Sequence, residues 1–170
     1  GAVALELAIE APGRFDRLVL FGAEAQFGRK WAATIARRVL ERFPVPDDSP
    51  FINQFFNLLH GGKPEPGPLS EFVIQRCWET DQAVMADRLR ALEAFDATDR
   101  LWQVEAPTLI MAGSRDVVVT SERQRALARS IATARFATIE GAGHLGFLTH
   151  RREVSARVAR HLAVVRRTVS

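Results

Sequence analysis

Apolar positions along the chain follow two spacings, and the switches between them divide it into three stretches. Ala2 to Ala11 is small or apolar except at Glu6 and Glu10 and is stopped by Pro12-Gly13, which predicts a mostly buried helix. Leu18-Val19-Leu20-Phe21 is an unbroken apolar run closed by Gly22, the pattern of a strand covered by helices on both faces. From Phe27 to about Arg100 the pattern becomes helical with proline-rich breaks, too long for a simple crossover between neighbouring strands. Here Lys30 to Phe43 carries Trp31, Ile35, Val39 and Phe43 on one face, and Phe51 to Leu59 follows, capped by Asp48 or Ser49. A helical stretch capped by Ser70 then runs to about Phe95, with a bend or break near Thr80-Asp81. After Pro107 the strand and helix rhythm returns. Thr108 to Ala112 and Ala134 to Glu140 are predicted strands, Ser121 to Ala132 a helix begun by Thr120 or Ser121, and Arg151 to Val165 a last amphipathic helix. The resulting division is a core segment over 1–27, a helical insertion over 28–100 and a second core segment over 101–170.

Composition narrows the class. At 170 residues, 47% hydrophobic and 25% charged, the chain matches a globular domain and excludes disordered and collagen-like proteins. The net charge of +3 is carried almost wholly by arginine, since Lys30 and Lys63 are the only lysines, and arginines are interleaved with acids as in Arg37-Arg38 and Glu41. That interleaving argues against a nucleic-acid partner, which needs cations gathered on one face. Cys77 stands alone, so no intrachain disulfide framework exists and a reducing compartment fits. No apolar run approaches the roughly 20 residues that span a bilayer, and the first residues lack the basic region of a signal peptide. The expectation is a cytoplasmic protein with no membrane partner. The chain opens directly on a helical pattern without a capping residue and is expected to begin in mid-fold.

Two loops carry the candidate chemistry: Gly113-Ser114-Arg115-Asp116 and Gly141-Ala142-Gly143-His144. Each follows a predicted strand at its carboxyl end, where open α/β sheets place their reacting groups. A carboxylate and an imidazole meeting there form an acid and base pair, the first fixing the tautomer and orientation of the second. Plainer roles stand beside these: Asp116 as a turn residue for the amides of Val117 and Val118, and His144 as a loop histidine bonded to backbone. His60, His150 and His161 read as packing or surface residues without metal-ligand spacing, most of the serines as caps or helix-surface residues, and Cys77 as a packed thiol.

The run Ala106-Pro107-Thr108-Leu109-Ile110-Met111-Ala112-Gly113-Ser114-Arg115-Asp116 resembles the acid-bearing strand and turn of the α/β-hydrolase superfamily. Ile139-Glu140-Gly141-Ala142-Gly143-His144, followed by a helix, resembles its histidine loop, and Asp16-Arg17-Leu18-Val19-Leu20-Phe21-Gly22 with the helices after it is similar to the strand before the cap and the cap itself. The resemblance implies an α/β class: a partial alpha/beta-hydrolase fold of parallel strands with flanking helices and a helical cap insertion. It gives Asp116 and His144 the acid and general-base roles of a triad. No G-x-S-x-G occurs in the sequence. The implied nucleophile therefore lies just before Gly1, Gly1 or its predecessor contributes an oxyanion amide, and the chain alone is not expected to hydrolyse anything. The implied activity is hydrolysis of a small, mostly apolar ester, lactone or thioester, with Phe55, Phe56, Val118 and Leu145 on the pocket wall and neither organic cofactor nor metal. The alternative is a non-catalytic binding module on the same scaffold. The implied partners are a small-molecule substrate and the missing amino-terminal half of the fold. Leu18 to Phe21 would otherwise leave a strand edge through which the chain forms a homo-oligomer.

Overall fold

The computed structural model describes residues 1–28, 31–46 and 49–163, omitting the side chains of Ala32, Phe51, Ile52, Phe55 and Phe56. In chain order the elements are α1 (Ala2–Glu10), β1 (Leu18–Phe21), α2 (Trp31–Arg42), α3 (Pro50–His60), α4 (Pro68–Trp78), α5 (Gln82–Ala94), a 3-10 turn (Thr98–Gln103), β2 (Thr108–Gly113), α6 (Ser121–Ser130), β3 (Ala134–Ile139), α7 (Gly146–Thr149) and α8 (Arg151–Ala163). The three strands form one parallel sheet in the order β1-β2-β3, with Leu18 opposite Thr108, and Thr108 opposite Ala134. β2 is central and buried along its whole length, as its continuous apolar sequence requires.

Alternation along the strands divides the core into two layers. Leu18, Leu20 and Ile110 face Leu5, Ala8 and Ile9 of α1, Leu101 of the 3-10 turn, Leu127 of α6 and Ile131 just after it. Leu109, Met111 and Ile139 face the opposite way, against Val154 and Val158 of α8. Full burial of each large side chain here stabilises by roughly 1.5–3 kcal/mol, which holds the sheet between its two helical layers. The carboxyl ends of β2 and β3 are thereby fixed side by side.

The helices between β1 and β2 have a third apolar cluster, with Leu40 of α2 and Ala86 of α5 surrounded by Leu59, Ile74, Cys77, Trp78 and Met85. Polar bonds join α2 to α5: Arg37 Nε donates to Glu93 at 2.9 Å, Thr34 Oγ1 to Glu93 at 2.8 Å and Arg90 to Glu41 at 2.7 Å. The Gln82 amide closes the end of α2, donating to the carbonyls of Leu40 and Phe43 and accepting from Val45 N–H. The expected apolar stripe of α2 is not its buried face. Trp31 is 77% exposed, and Ile35 and Phe43 are also exposed, because α2 meets α5 through Leu40 and its arginine-bearing side.

Helix starts follow local chemistry with one correction. Asp81 caps α5 by accepting from Ala83 N–H at 2.7 Å, so the break expected near Thr80-Asp81 is real. Ser70 is not an N-cap. Helix α4 begins two residues earlier at Pro68, and Ser70 closes its first turn from within by bonding both the N–H and the carbonyl of Gly67. Lys30, Asp48 and Val165, which entered the sequence reading, lie outside the described residues. Burial raises the Cys77 thiol above its ordinary range, which keeps it in the less reactive protonated form.

Candidate active site

Strands β2 and β3 end at adjacent points, and the loops leaving them are tied together before any side chain of chemical interest is reached. Ser114 N–H donates to Ile139 O at 3.0 Å and Arg115 N–H to Ala142 O at 2.9 Å. Ser114 Oγ donates to Glu140 at 3.0 Å and accepts Gly141 N–H at 2.8 Å. Ser114 is thus a staple between two loops. A side chain at Gly113 is excluded, since its Cβ would stand 2.3 Å from Ala142 O.

This stapling brings the two candidates together. Asp116 Oδ2 lies 2.9 Å from His144 Nδ1, with the Asp116 side chain fully buried and that of His144 25% exposed. Asp116 Oδ1 accepts the backbone N–H groups of Val118 and Val119, both at 2.9 Å. The turn role and the pairing role are therefore filled by different oxygens of one carboxylate, and the amides held are 118 and 119 rather than 117 and 118. An ionised carboxylate only accepts, so Nδ1 is the donor in this contact, and in the neutral ring that leaves the lone pair on Nε2, as a general base requires. Among the described residues no hydrogen bond engages Nε2.

Two further residues complete the surroundings of the ring. Gly22, which follows β1 with φ of +63°, lies so close under the imidazole that a Cβ there would be 2.7 Å from Cε1. Gln124 of α6 is fully buried and accepts Gly22 N–H at 2.9 Å. It donates to Val119 O at 2.8 Å and, at 3.4 Å, to Asp116 Oδ2. Neither residue stood out in the sequence as more than a strand end and a helix residue. The signal for Gln124 was a polar residue on the stripe it shares with Leu127 and Ile131, where an unpaired amide is costly.

The helices between β1 and β2 reach this site through the end of α3. Leu145 N–H donates to Leu59 O at 3.0 Å, and Gly143 lies against the His60 carbonyl so tightly that its Cβ would be 2.3 Å from that oxygen. Val118 and Leu145 are both half-buried beside the pair. The side chains of Phe55 and Phe56, though on α3, lie outside the described part of the structure. Gly1 packs on Ala23, the residue after Gly22, where its Cβ would meet Ala23 Cβ at 2.9 Å. His161 lies at the other end of the strands, its Nε2 donating to Pro107 O at 3.0 Å, and His150 bonds Thr149.

The sequence profile of the alpha/beta hydrolase family matches residues 1–157. The chain belongs to that family. A solved hydrolase from Pseudomonas aeruginosa PA01 superposes with a TM-score of 0.85 at 26% identity, covering 96% of this chain and 62% of that one. A pimeloyl-[acyl-carrier protein] methyl ester esterase of Stenotrophomonas maltophilia is 28% identical over 174 residues, covering 97% of this chain and 66% of the esterase. Polyketide synthase ThaQ of Burkholderia thailandensis is 44% identical over 70 residues, which is 41% of this chain and 3% of the synthase. The chain thus spans just under two thirds of the esterase and a small part of the synthase. The fold is that of an α/β hydrolase in part: three parallel strands with flanking helices. Among the described residues no helix is long and apolar enough to cross a membrane.

Proposed function

We propose that this chain supplies the acid and base of a serine-type acyl hydrolase acting on small, mostly apolar esters, lactones or thioesters. The observation that carries the reading is the 2.9 Å contact between Asp116 Oδ2 and His144 Nδ1 at the carboxyl ends of adjacent parallel strands. In the proposed cycle His144 Nε2 takes the nucleophile's proton as the hydroxyl attacks the acyl carbon, and then returns it to the leaving group. Asp116 stays ionised and stabilises the imidazolium. The nucleophile belongs to the family segment that precedes Gly1 in the fold. Support for this placement comes from Gly1 itself, which rests on Ala23 next to the glycine beneath the imidazole. A backbone amide at Gly1 or just before it then faces the developing oxyanion. The helices of 28–100 act as a cap over the pair, with Val118 and Leu145 as acyl-contacting residues.

The relatives support an ester as substrate class, because the Stenotrophomonas protein is an ester esterase. A serine-reactive phosphonate probe applied to the full gene product tests the reading. Labelling that is abolished by His144→Ala supports the hydrolase, and absence of labelling in the wild type overturns it in favour of a binding module.

A further inference from the structure

We propose that Gln124 is a positioning residue that fixes His144 from two sides at once; this rests on the hydrolase reading above. Gln124 occupies a core position of α6, one helical turn before Leu127, and no part of it is exposed. A neutral amide is an expensive way to fill such a place, since each of its polar atoms needs a partner once water is gone. Leucine or methionine would fill the volume without that requirement. The partners that the amide takes are the reason it is there.

Its oxygen accepts Gly22 N–H at 2.9 Å, and Gly22 is the surface on which the His144 ring lies. Its nitrogen donates to Val119 O at 2.8 Å and reaches Asp116 Oδ2 at 3.4 Å, the same oxygen that takes His144 Nδ1. The first bond fixes the floor of the ring. The second and third fix the loop and the carboxylate that hold its edge. Gly22 N–H needs an acceptor, whereas Val119 O and Asp116 Oδ2 both need a donor, so only an amide oriented this way serves all three. A carboxylate at the same place would put an acceptor against two acceptors, and an apolar side chain would release β1 from the acid loop. Gln124 touches neither substrate nor the reacting nitrogen and acts only through its neighbours.

The test uses Gln124→Met and Gln124→Glu in the full gene product, following ester hydrolysis against pH and the NMR resonance of the His144 Nδ1 proton. Gln124→Met is expected to lower kcat by about 10- to 100-fold, in line with the sensitivity of catalysis to misplacements near 1 Å, with KM within about twofold. Gln124→Glu is expected to move the acid limb of kcat/KM upward by roughly one pH unit, because a second carboxylate beside Asp116 favours the imidazolium. Of the other titratable groups nearby, Arg115 adjoins Asp116, His60 lies behind Gly143, and the buried Glu24, two residues after Gly22, is paired with Arg123 at 2.8 Å; both substitutions leave them in place. The Nδ1 proton resonance should shift or broaden in both variants. A role confined to packing would lower thermal stability and leave kcat and the Nδ1 resonance of Gln124→Met where they are, and that result overturns the proposal. If Gln124→Glu does not fold, Gln124→Met and its resonance decide. If the wild type hydrolyses no ester, the hydrolase reading fails separately, and an unchanged resonance in Gln124→Met still refutes the positioning role.

Discussion

Gly22→Ala places a single methyl group where the structure has room for none, and its consequences for stability and for catalysis separate cleanly. A Cβ at this position would stand 2.7 Å from His144 Cε1 and 2.9 Å from Nδ1. Non-bonded carbon atoms settle at roughly 3.5–4.0 Å, so the ring has to withdraw by about 1 Å. The imidazole is the movable end of a side chain, so it yields more readily than backbone. The remaining cost is conformational: φ is +63° at Gly22, and an L side chain enters that region at about 1 kcal/mol. A loss of that size lowers Tm by about 2–4 °C in a domain of 150 to 250 residues. The catalytic loss is of another order, because a base misplaced by about 1 Å reduces kcat near 100-fold, or roughly 2.7 kcal/mol in the barrier. Gly13→Ala is the matched control, with φ of +81° and nothing within 4 Å of the added methyl. Initial rates of ester hydrolysis and thermal melts of the full gene product should place the two variants within a few degrees of each other and about two orders of magnitude apart in kcat. Wild-type kcat in Gly22→Ala would refute the claim that the glycine is the ring's floor.

Three further outcomes follow from the same geometry. Asp116→Asn presents an amide to His144 Nδ1 in place of one acceptor, favours the wrong tautomer and is expected to lower kcat by about 10⁴-fold, measured under saturating substrate; a loss below tenfold would remove Asp116 from the triad. Glu6 is held below the ordinary carboxylate range by its hydrogen bond from Arg100, against the opposing effect of burial, so its contribution to stability is complete above about pH 4.3 and is lost as pH falls through the lowered folded value. Urea midpoints of the wild type and Glu6→Gln should accordingly differ at pH 7 and converge as the pH is lowered through that depressed value, and a gap of constant size would refute the assignment. Residues 1–170 expressed by themselves should elute above their 18.9 kDa mass, because β1 is a sheet edge of Leu, Val and Phe among the described residues; a monomer by light scattering would count against edge pairing.

The core was legible where local pattern and tertiary demand coincide. Thr108 to Ala112 reads as a buried strand because every position is apolar or small, and it is central in the sheet. The helices between β1 and β2 were legible as helices and not as packing. Trp31, Ile35 and Phe43 share a helical face, yet periodicity records only that one face is apolar and not which face a partner covers. The partner of α2 is α5, and it was chosen by the ion pairs at Glu41 and Glu93 together with Leu40, a long-range match that no local window contains. The 3-10 turn of Thr98–Gln103 and the four-residue helix of Gly146–Thr149 were missed for a related reason: both are too short for a period to show.

At the site, the sequence carried the identities of the pair and hid what holds it. Asp116 and His144 were visible because each sits after an apolar run and among turn residues, which places both at strand ends. Their meeting depends on bonds that link loops far apart in the chain. Ser114 to Glu140 and Gly141, Arg115 to Ala142 and Gln124 to Gly22 each join residues from different segments through side-chain or loop groups. Such residues look ordinary in sequence because their roles reside entirely in the partner. Gln124 shows what can still be recovered: a polar group on an apolar helical stripe is paired or it destabilises, so in a folded protein it points to a partner worth finding. The same reasoning makes Gly143 and Gly22 informative in retrospect. One glycine admits the carbonyl of α3 and the other admits the ring of His144, so the histidine loop is fitted between the inserted helices and the sheet with no space for a methyl group on either side. A change that shifts α3 should therefore be felt at His144 before it is felt at the sheet.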